Sequence, residues 1–322
     1  MKKNIWNIIG TLVSAAIVIG FFLYLWKEQD TLLSLLDISG HHVFALGLLV
    51  LITRVLDSMQ GYYLTRAQGC DIGILEAFWI YTAAGLANYL PFRAGTIIRF
   101  HYLKKVHGLR YARSVSLMTA RTVSFLFITG AIGLSGTLVL AHRGGMISYE
   151  MLSCFLLMMA LSVALYFLPT PDHESAQASK SLAARVLRDF GSGLGDIRKM
   201  NRLVVILTLL IFLQSVCMIL RLYVCFDALQ FNVDKSIFLV LAPISVLTLY
   251  LSITPGGLGL REGIMGYVTL ITGHDFNMGM FAGVLDRAML MVLYIVLGAP
   301  ALVYCQMRMN KKQAIDSGHT SS

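Results

Sequence analysis

Thr254-Pro255-Gly256-Gly257-Leu258-Gly259-Leu260-Arg261-Glu262-Gly263 interrupts a long apolar run with a proline, four glycines and an adjacent pair of opposite charges. In a helix facing lipid this combination is close to forbidden, because proline and glycine break the hydrogen-bond ladder and hydrocarbon offers no replacement partner. Non-helical backbone survives at membrane depth where it is buried in protein or lines a wet cavity. The stretch therefore predicts a broken, polar point in the interior of a membrane protein.

Composition supports that environment. The 322 residues are 57% hydrophobic and only 13% charged, whereas a soluble domain carries about a quarter charged residues. The net charge of +9 then concerns orientation and anionic lipid, and nucleic acid is not an expected partner. The five scattered cysteines include no C-x-x-C pair, and the histidines have no metal-ligand spacing. No disulfide, metal or other cofactor is expected. The methionines sit mainly in apolar runs and read as packing.

Six runs read as full spans, at 8–26, 43–63, 114–141, 150–169, 203–226 and 281–305. The first, flanked by Trp6 and Trp26, has the length and interfacial aromatics of an uncleaved span. With the N-terminus cytoplasmic, the inside segments 1–7, 64–74, 91–113, 170–202 and 306–322 hold eighteen of the 26 Lys and Arg. The outside segments hold three, Lys27, Arg143 and Lys235. This bias places both termini in the cytoplasm. It also gives the apolar run 75–90 inside flanks at both ends and the run 236–272 outside flanks at both ends. Each is therefore expected to enter and return as a re-entrant hairpin, the two from opposite faces. Their tips are expected at Asn88 to Gly95 and at Thr254 to Gly263.

The predicted fold class is an all-α polytopic membrane protein with six spans and two opposed hairpins. It forms a single domain of two halves, about 1–145 and 146–307, with a polar linker at 170–202 and a disordered tail at 308–322. Landmarks recur between the halves. Arg54 lies 37 residues before Pro91 and Arg221 lies 34 before Pro255; Arg121 lies 30 after Pro91 and Arg287 lies 32 after Pro255. An inverted repeat is expected, with a binding site where the broken helices meet.

Five basic residues remain at membrane depth: Arg54, Arg121, Arg221, Arg261 and Arg287. Each costs roughly 2.5–3.5 kcal/mol at the centre of a span. Only Asp57, Glu262 and Asp286 lie at comparable depth, so the core is short of about two negative charges and is expected to bind an anion or hydrate. Arginine grips phosphate or carboxylate with two parallel bonds and stays charged when buried. Gly256, Gly257 and Gly259 are expected to expose backbone N–H groups, and the helix beginning near Leu260 aims its positive end the same way. Plainer readings stand beside these. Arg54 and Asp57 are i,i+3 on one helix face and form a local pair. Arg221 snorkels to the outer surface, the glycine run serves packing, and Asn88 caps a turn.

Asn88-Tyr89-Leu90-Pro91-Phe92-Arg93-Ala94-Gly95 with Arg99, then Arg121, then Thr254 to Glu262, resemble the flippase-like membrane domain of lysylphosphatidylglycerol synthases. The resemblance extends over nearly the whole chain. It implies a protein of the bacterial or archaeal inner membrane that moves lipids between leaflets. In the synthases this domain is fused to a soluble aminoacyl-transfer domain. Nothing of that kind follows Arg308, so synthase activity is not expected. The family pattern places an acid where this chain has Thr96, and acids beside the arginine that here is flanked by Ala120 and Ser124. Their loss leaves a more positive site.

The expectation is a lipid translocase that is not an enzyme. An anionic or polyprenyl-phosphate-linked lipid enters between the halves, and Arg93, Arg121, Arg261 and Arg287 hold its phosphate. Glu262 and Asp286 compete for those arginines, and a separate lipid- or glycan-synthesising enzyme is the expected protein partner. Asn88, Arg54, Asp57, Arg99 and Arg221 are secondary site residues. The alternatives are a secondary transporter of a small anion, with Glu262 or Asp286 carrying protons; a membrane-embedded lipid-phosphate transferase; and a partner subunit of a separate synthase.

Overall fold

The computed structural model describes residues 38–89, 94–143, 149–167, 195, 200–251 and 257–318. The expected first span at 8–26, nearly all of the linker at 170–202, and Arg93 and Gly256 lie outside the described residues. Every regular element described is helical: α1 (Gly40–Ala67), α2 (Ile74–Ala87), α3 (Ala94–His107), α4 (Tyr111–His142), α5 (Tyr149–Tyr166), α6 (Asn201–Ala228), a 3-10 turn (Lys235–Ile237), α7 (Phe238–Leu251), α8 (Leu260–Ile271) and α9 (Phe276–Gly318). Five of them, α1, α4, α5, α6 and α9, are long and apolar enough to cross a membrane. They coincide with five of the predicted spans. Their outward faces carry exposed apolar side chains such as Phe44, Leu157, Val205 and Ile295, as a lipid-facing surface requires. The chain is an all-α polytopic membrane protein.

The two remaining apolar runs form helical hairpins. α2 and α3 have 14 residues each, and α7 and α8 have 14 and 12. Each arm is therefore about 18–21 Å long, short of the roughly 30 Å hydrocarbon layer. In the first hairpin the arms run antiparallel. Gly95 sits against Ala84, and Tyr102 Oη donates to Glu76 Oε1 at 2.6 Å. A Cβ on Gly95 would lie 1.8 Å from the Ala84 carbonyl oxygen, so only glycine allows the arms to close. Gly95→Ala is expected to cost about 1–3 kcal/mol by overpacking. It should lower the melting temperature in detergent; an unchanged melt would contradict this packing.

The second hairpin breaks where Gly257 and Gly259 take φ of +71° and +80°, left-handed values that side chains with a Cβ rarely adopt. That backbone turns the chain into α8, the element that carries Arg261 and Glu262.

The packing between halves is reciprocal. α2 lies along α9, with Gly85 against Tyr294 and Gly298 against Leu86. α7 lies along α4, with Gly136 against Leu239. α1 and α6 pair at the centre through a bond from Gln60 Nε2 to Gln214 Oε1 of 2.7 Å.

Side-chain ties sort the loops into two faces. His42 with Asp227 (3.0 Å), Arg143 with Asp234 (3.0 Å) and Tyr267 with Glu150 (2.8 Å) join segments assigned to the outside or to the outward-opening hairpin. His107 with Glu76 (3.0 Å), Lys105 with Gln313 (3.0 Å) and Arg308 with Glu76 (3.9 Å) join segments on the other side. The first hairpin has its base on this second face and the second hairpin on the first. The two largest apolar cores lie around Phe155, Phe226 and Phe238 and around Leu64, Ile80 and Tyr102. A charged belt lies between them.

The tail departs from expectation. Residues 308–318 continue α9 as helix because the stretch from Arg308 to Ile315 contains no breaker and is rich in good helix formers. Arg308 Nε also donates to Tyr304 Oη at 3.2 Å, one turn back.

Candidate functional site

Helices α1, α4, α6, α8 and α9 each deliver at least one arginine to the belt, and the acids between them form three bridges. Asp57 on α1 binds both Arg54, one turn away, and Arg121 on α4. The local Arg54–Asp57 pair expected from spacing is therefore present, but a second helix shares the carboxylate. Asp286 on α9 accepts from Arg221 Nε at 2.9 Å through one oxygen and from Arg261 Nη2 at 2.6 Å through the other. Arg287, its sequence neighbour, points elsewhere. Its Nε lies 2.8 Å from Glu262 Oε1, and its Nη2 donates to the Gly257 carbonyl at 3.1 Å. The side chains of Asp286 and Arg287 thus serve different elements, as their adjacency requires.

One plainer alternative and one expectation are corrected. Arg221 does not snorkel: it is 3% exposed, because its position on α6 faces Asp286 and the helix continues to Ala228. The N–H of Gly259 is not offered to a ligand in the expected way. Gly259 N–H donates to Glu262 Oε2 at 2.9 Å, since an acid three residues into a helix reaches back to satisfy an orphan donor. Gly257 contributes its carbonyl instead.

The arginines and Asp57 line one cavity of about 340 Å³, within the roughly 300–1,000 Å³ of small-ligand sites. Arg54, Arg99, Arg121, Arg221, Arg261 and Arg287 all line it. Arg99, on α3, stacks on the Tyr81 ring at 4.8 Å and has no ion-paired carboxylate among the described residues. Asn88 ends α2 and also lines the cavity, with its Oδ1 against Gly95, so it both caps the turn and faces the site.

Among the described residues the belt holds six arginines against Asp57, Glu262 and Asp286. That leaves three uncompensated positive charges. Among the described residues, Arg54 Nε, Arg261 Nε and Arg287 Nη1 are also buried without a hydrogen-bond acceptor. Buried donors are ordinarily satisfied, and charged ones are the most costly to leave open. Several guanidiniums with open donors around an acid-poor cavity suit a polyvalent oxyanion.

Sequence reading did not single out Tyr294, whose Oη accepts from Arg54 Nη1 at 2.7 Å, or Tyr89, whose ring meets that of Tyr294 at 5.8 Å. A tyrosine inside an apolar span carries no charge signal. Its need for a partner when buried is the one available hint.

A membrane-spanning helical bundle in which two broken hairpins meet at an arginine-rich interior defines the class. The family model for the lysylphosphatidylglycerol synthase TM region matches residues 7–298, and the chain belongs to that family. It is also 33% identical over 84 residues to a protein of Methanothermobacter thermautotrophicus described as a UPF0104 membrane protein. That alignment takes in 26% of this chain and 24% of the relative, so it spans about a quarter of that relative's length. No solved structure gives a significant match.

Proposed function

We propose that this protein translocates an anionic lipid between leaflets of the bacterial inner membrane. The phosphate-bearing head group sits in the arginine cavity, and α2–α3 and α7–α8 act as re-entrant hairpins from opposite faces. Both termini are cytoplasmic in this reading, and the reciprocal packing of the two halves supports an inverted repeat. The observation that carries the proposal is the gathering of six arginines and Asp57 on one cavity, with Asp286 and Glu262 paired to its arginines from behind the wall.

Phosphate can bind without dismantling the ion pairs if the guanidiniums of Arg261 and Arg287, which line the cavity, turn their buried open donors toward it. Arg261 spends Nη2 on Asp286 and keeps Nε open. Arg287 spends Nε and Nη2 and keeps Nη1 open. Phosphate oxygens take these donors as the guanidiniums turn toward the cavity, and Asp286 and Glu262 hold the guanidiniums in place while the cavity is empty. Leu117, Phe125 and Leu290 form apolar wall between the charges, which favours a lipid over a fully hydrated small anion. In this role the protein performs no bond chemistry, and the enzyme that makes the lipid is its functional partner.

Native mass spectrometry of protein extracted in mild detergent tests the binding step. Phosphate-bearing lipids without a cationic head group should be retained by the wild type and lost from Arg261→Ala/Arg287→Ala. Equal retention of zwitterionic lipid by both proteins would overturn the reading.

A further inference from the structure

The two halves differ in one respect that their otherwise reciprocal packing does not predict. α8 is sealed against α9. A Cβ on Gly279 would lie 2.3 Å from the Met265 carbonyl oxygen, and one on Gly266 would lie 2.7 Å from the Phe276 ring. Small residues let these backbones approach, and no room is left between them. α3 and α4 hold the corresponding places in the first half, and they touch sparsely. Near the turn at 108–110, Lys104 of α3 stacks on Tyr111 of α4 at 4.4 Å.

Beyond that turn both helices border the cavity. Thr96, Arg99 and Leu103 of α3 and Ser114, Met118 and Thr122 of α4 all line it. In each helix these positions recur at intervals of three or four, so one continuous face of each looks into the opening. Ile97 is 61% exposed and Val115 is 42% exposed, which places apolar side chains toward the hydrocarbon beside the opening.

We infer that the groove between α3 and α4 is the lateral portal through which the acyl chains of an anionic lipid pass, with Arg99 receiving the phosphate at the mouth of the arginine cavity. The inference rests on the lipid reading of that cavity. An opening in hydrocarbon with a cation inside it selects a molecule with the matching layout, an apolar tail joined to an anionic head. Arg99 is half-buried and held through its face, 4.8 Å from the Tyr81 ring and 5.4 Å from the Phe100 ring. Face stacking leaves the edge donors of a guanidinium available for phosphate. Arg121 follows further inside on α4 and passes the head group on to Arg261 and Arg287. The sealed α8–α9 seam closes the matching route in the second half, so the cavity loads from the side on which the first hairpin has its base.

Photo-crosslinking of the unmodified full chain tests this. The protein is placed in nanodiscs of phosphatidylcholine containing phosphatidic acid with a diazirine in one acyl chain, and labelled peptides are mapped by mass spectrometry. A parallel sample carries the same diazirine on phosphatidylcholine. The phosphatidic acid label is expected to be enriched about tenfold on segments 96–103 and 114–125 relative to the phosphatidylcholine label, equivalent to about 1.4 kcal/mol of preference. Arg99→Gln should remove most of that enrichment. If phosphatidic acid is retained in an Arg261-dependent manner but its label falls on α8 and α9, or spreads as the phosphatidylcholine label does, the portal is wrong and the cavity reading stands. If phosphatidic acid is retained no better than phosphatidylcholine, the cavity reading fails and the portal fails with it.

Discussion

Asp286→Ala is expected to destabilise the protein by about 3–5 kcal/mol, the usual cost of removing one partner from a buried ion pair. The site explains the size of the effect. Asp286 is 1% exposed and is the carboxylate shared by Arg221 and Arg261, themselves 3% and 4% exposed. Removing it leaves two guanidiniums facing each other in a region already rich in positive charge. A loss of this size is a large fraction of the 5–15 kcal/mol that holds a typical domain together. The purified variant should melt well below the wild type in the same detergent. Adding Arg221→Met should recover part of the loss, because it removes one stranded charge and replaces it with an apolar side chain. Arg99→Ala is the internal control. It removes an arginine from the same cavity without breaking an ion pair among the described residues, and should stay within about 0.5 kcal/mol of wild type. Equal melting of the wild type and Asp286→Ala would mean that the Asp286 bridge does not form.

The parts of this architecture that could be read in the sequence are those with a local chemical signature. Pro255 with Gly257 and Gly259 marks a helix break because those residues cannot sustain the ladder. The lysine and arginine bias of the loops predicts that the two hairpin bases lie on opposite faces, because flanking charge is a local count. Burying five arginines with three acids requires a wet or ligand-filled interior wherever the side chains point. Partner choice was not legible in the same way. Asp286 accepts from residues 65 and 25 positions away, and nothing local distinguishes Arg221 as its partner from Arg221 as a snorkelling residue. Glu262 showed both roles in hindsight. As the third residue of α8 it caps Gly259, and as a carboxylate it holds Arg287. The capping role removes the very N–H that glycine exposure had suggested for the ligand. The α3–α4 opening had no sequence signal, because it is a difference in how closely two pairs of helices pack.

Transport should fail when the two arginines that bring open donors from α8 and α9 to the cavity wall are removed. Arg261→Ala/Arg287→Ala leaves the Arg221–Asp286 pair and the Gly259–Glu262 cap in place, so their elements keep those anchors. It removes two charge-assisted contacts to phosphate, each worth about 1.5–3 kcal/mol. Their combined loss corresponds to roughly two to four orders of magnitude in head-group occupancy. The most direct measurement follows leaflet exchange of a fluorescent phosphatidylglycerol in liposomes, using a membrane-impermeant quencher and matched amounts of folded protein. Wild-type protein is expected to accelerate exchange of this anionic lipid over a phosphatidylcholine carrying the same fluorophore, and the double variant to return it to the rate of protein-free liposomes. Equal rates for wild type and Arg261→Ala/Arg287→Ala would contradict the assignment of the arginine cavity as the site that carries lipid across the membrane.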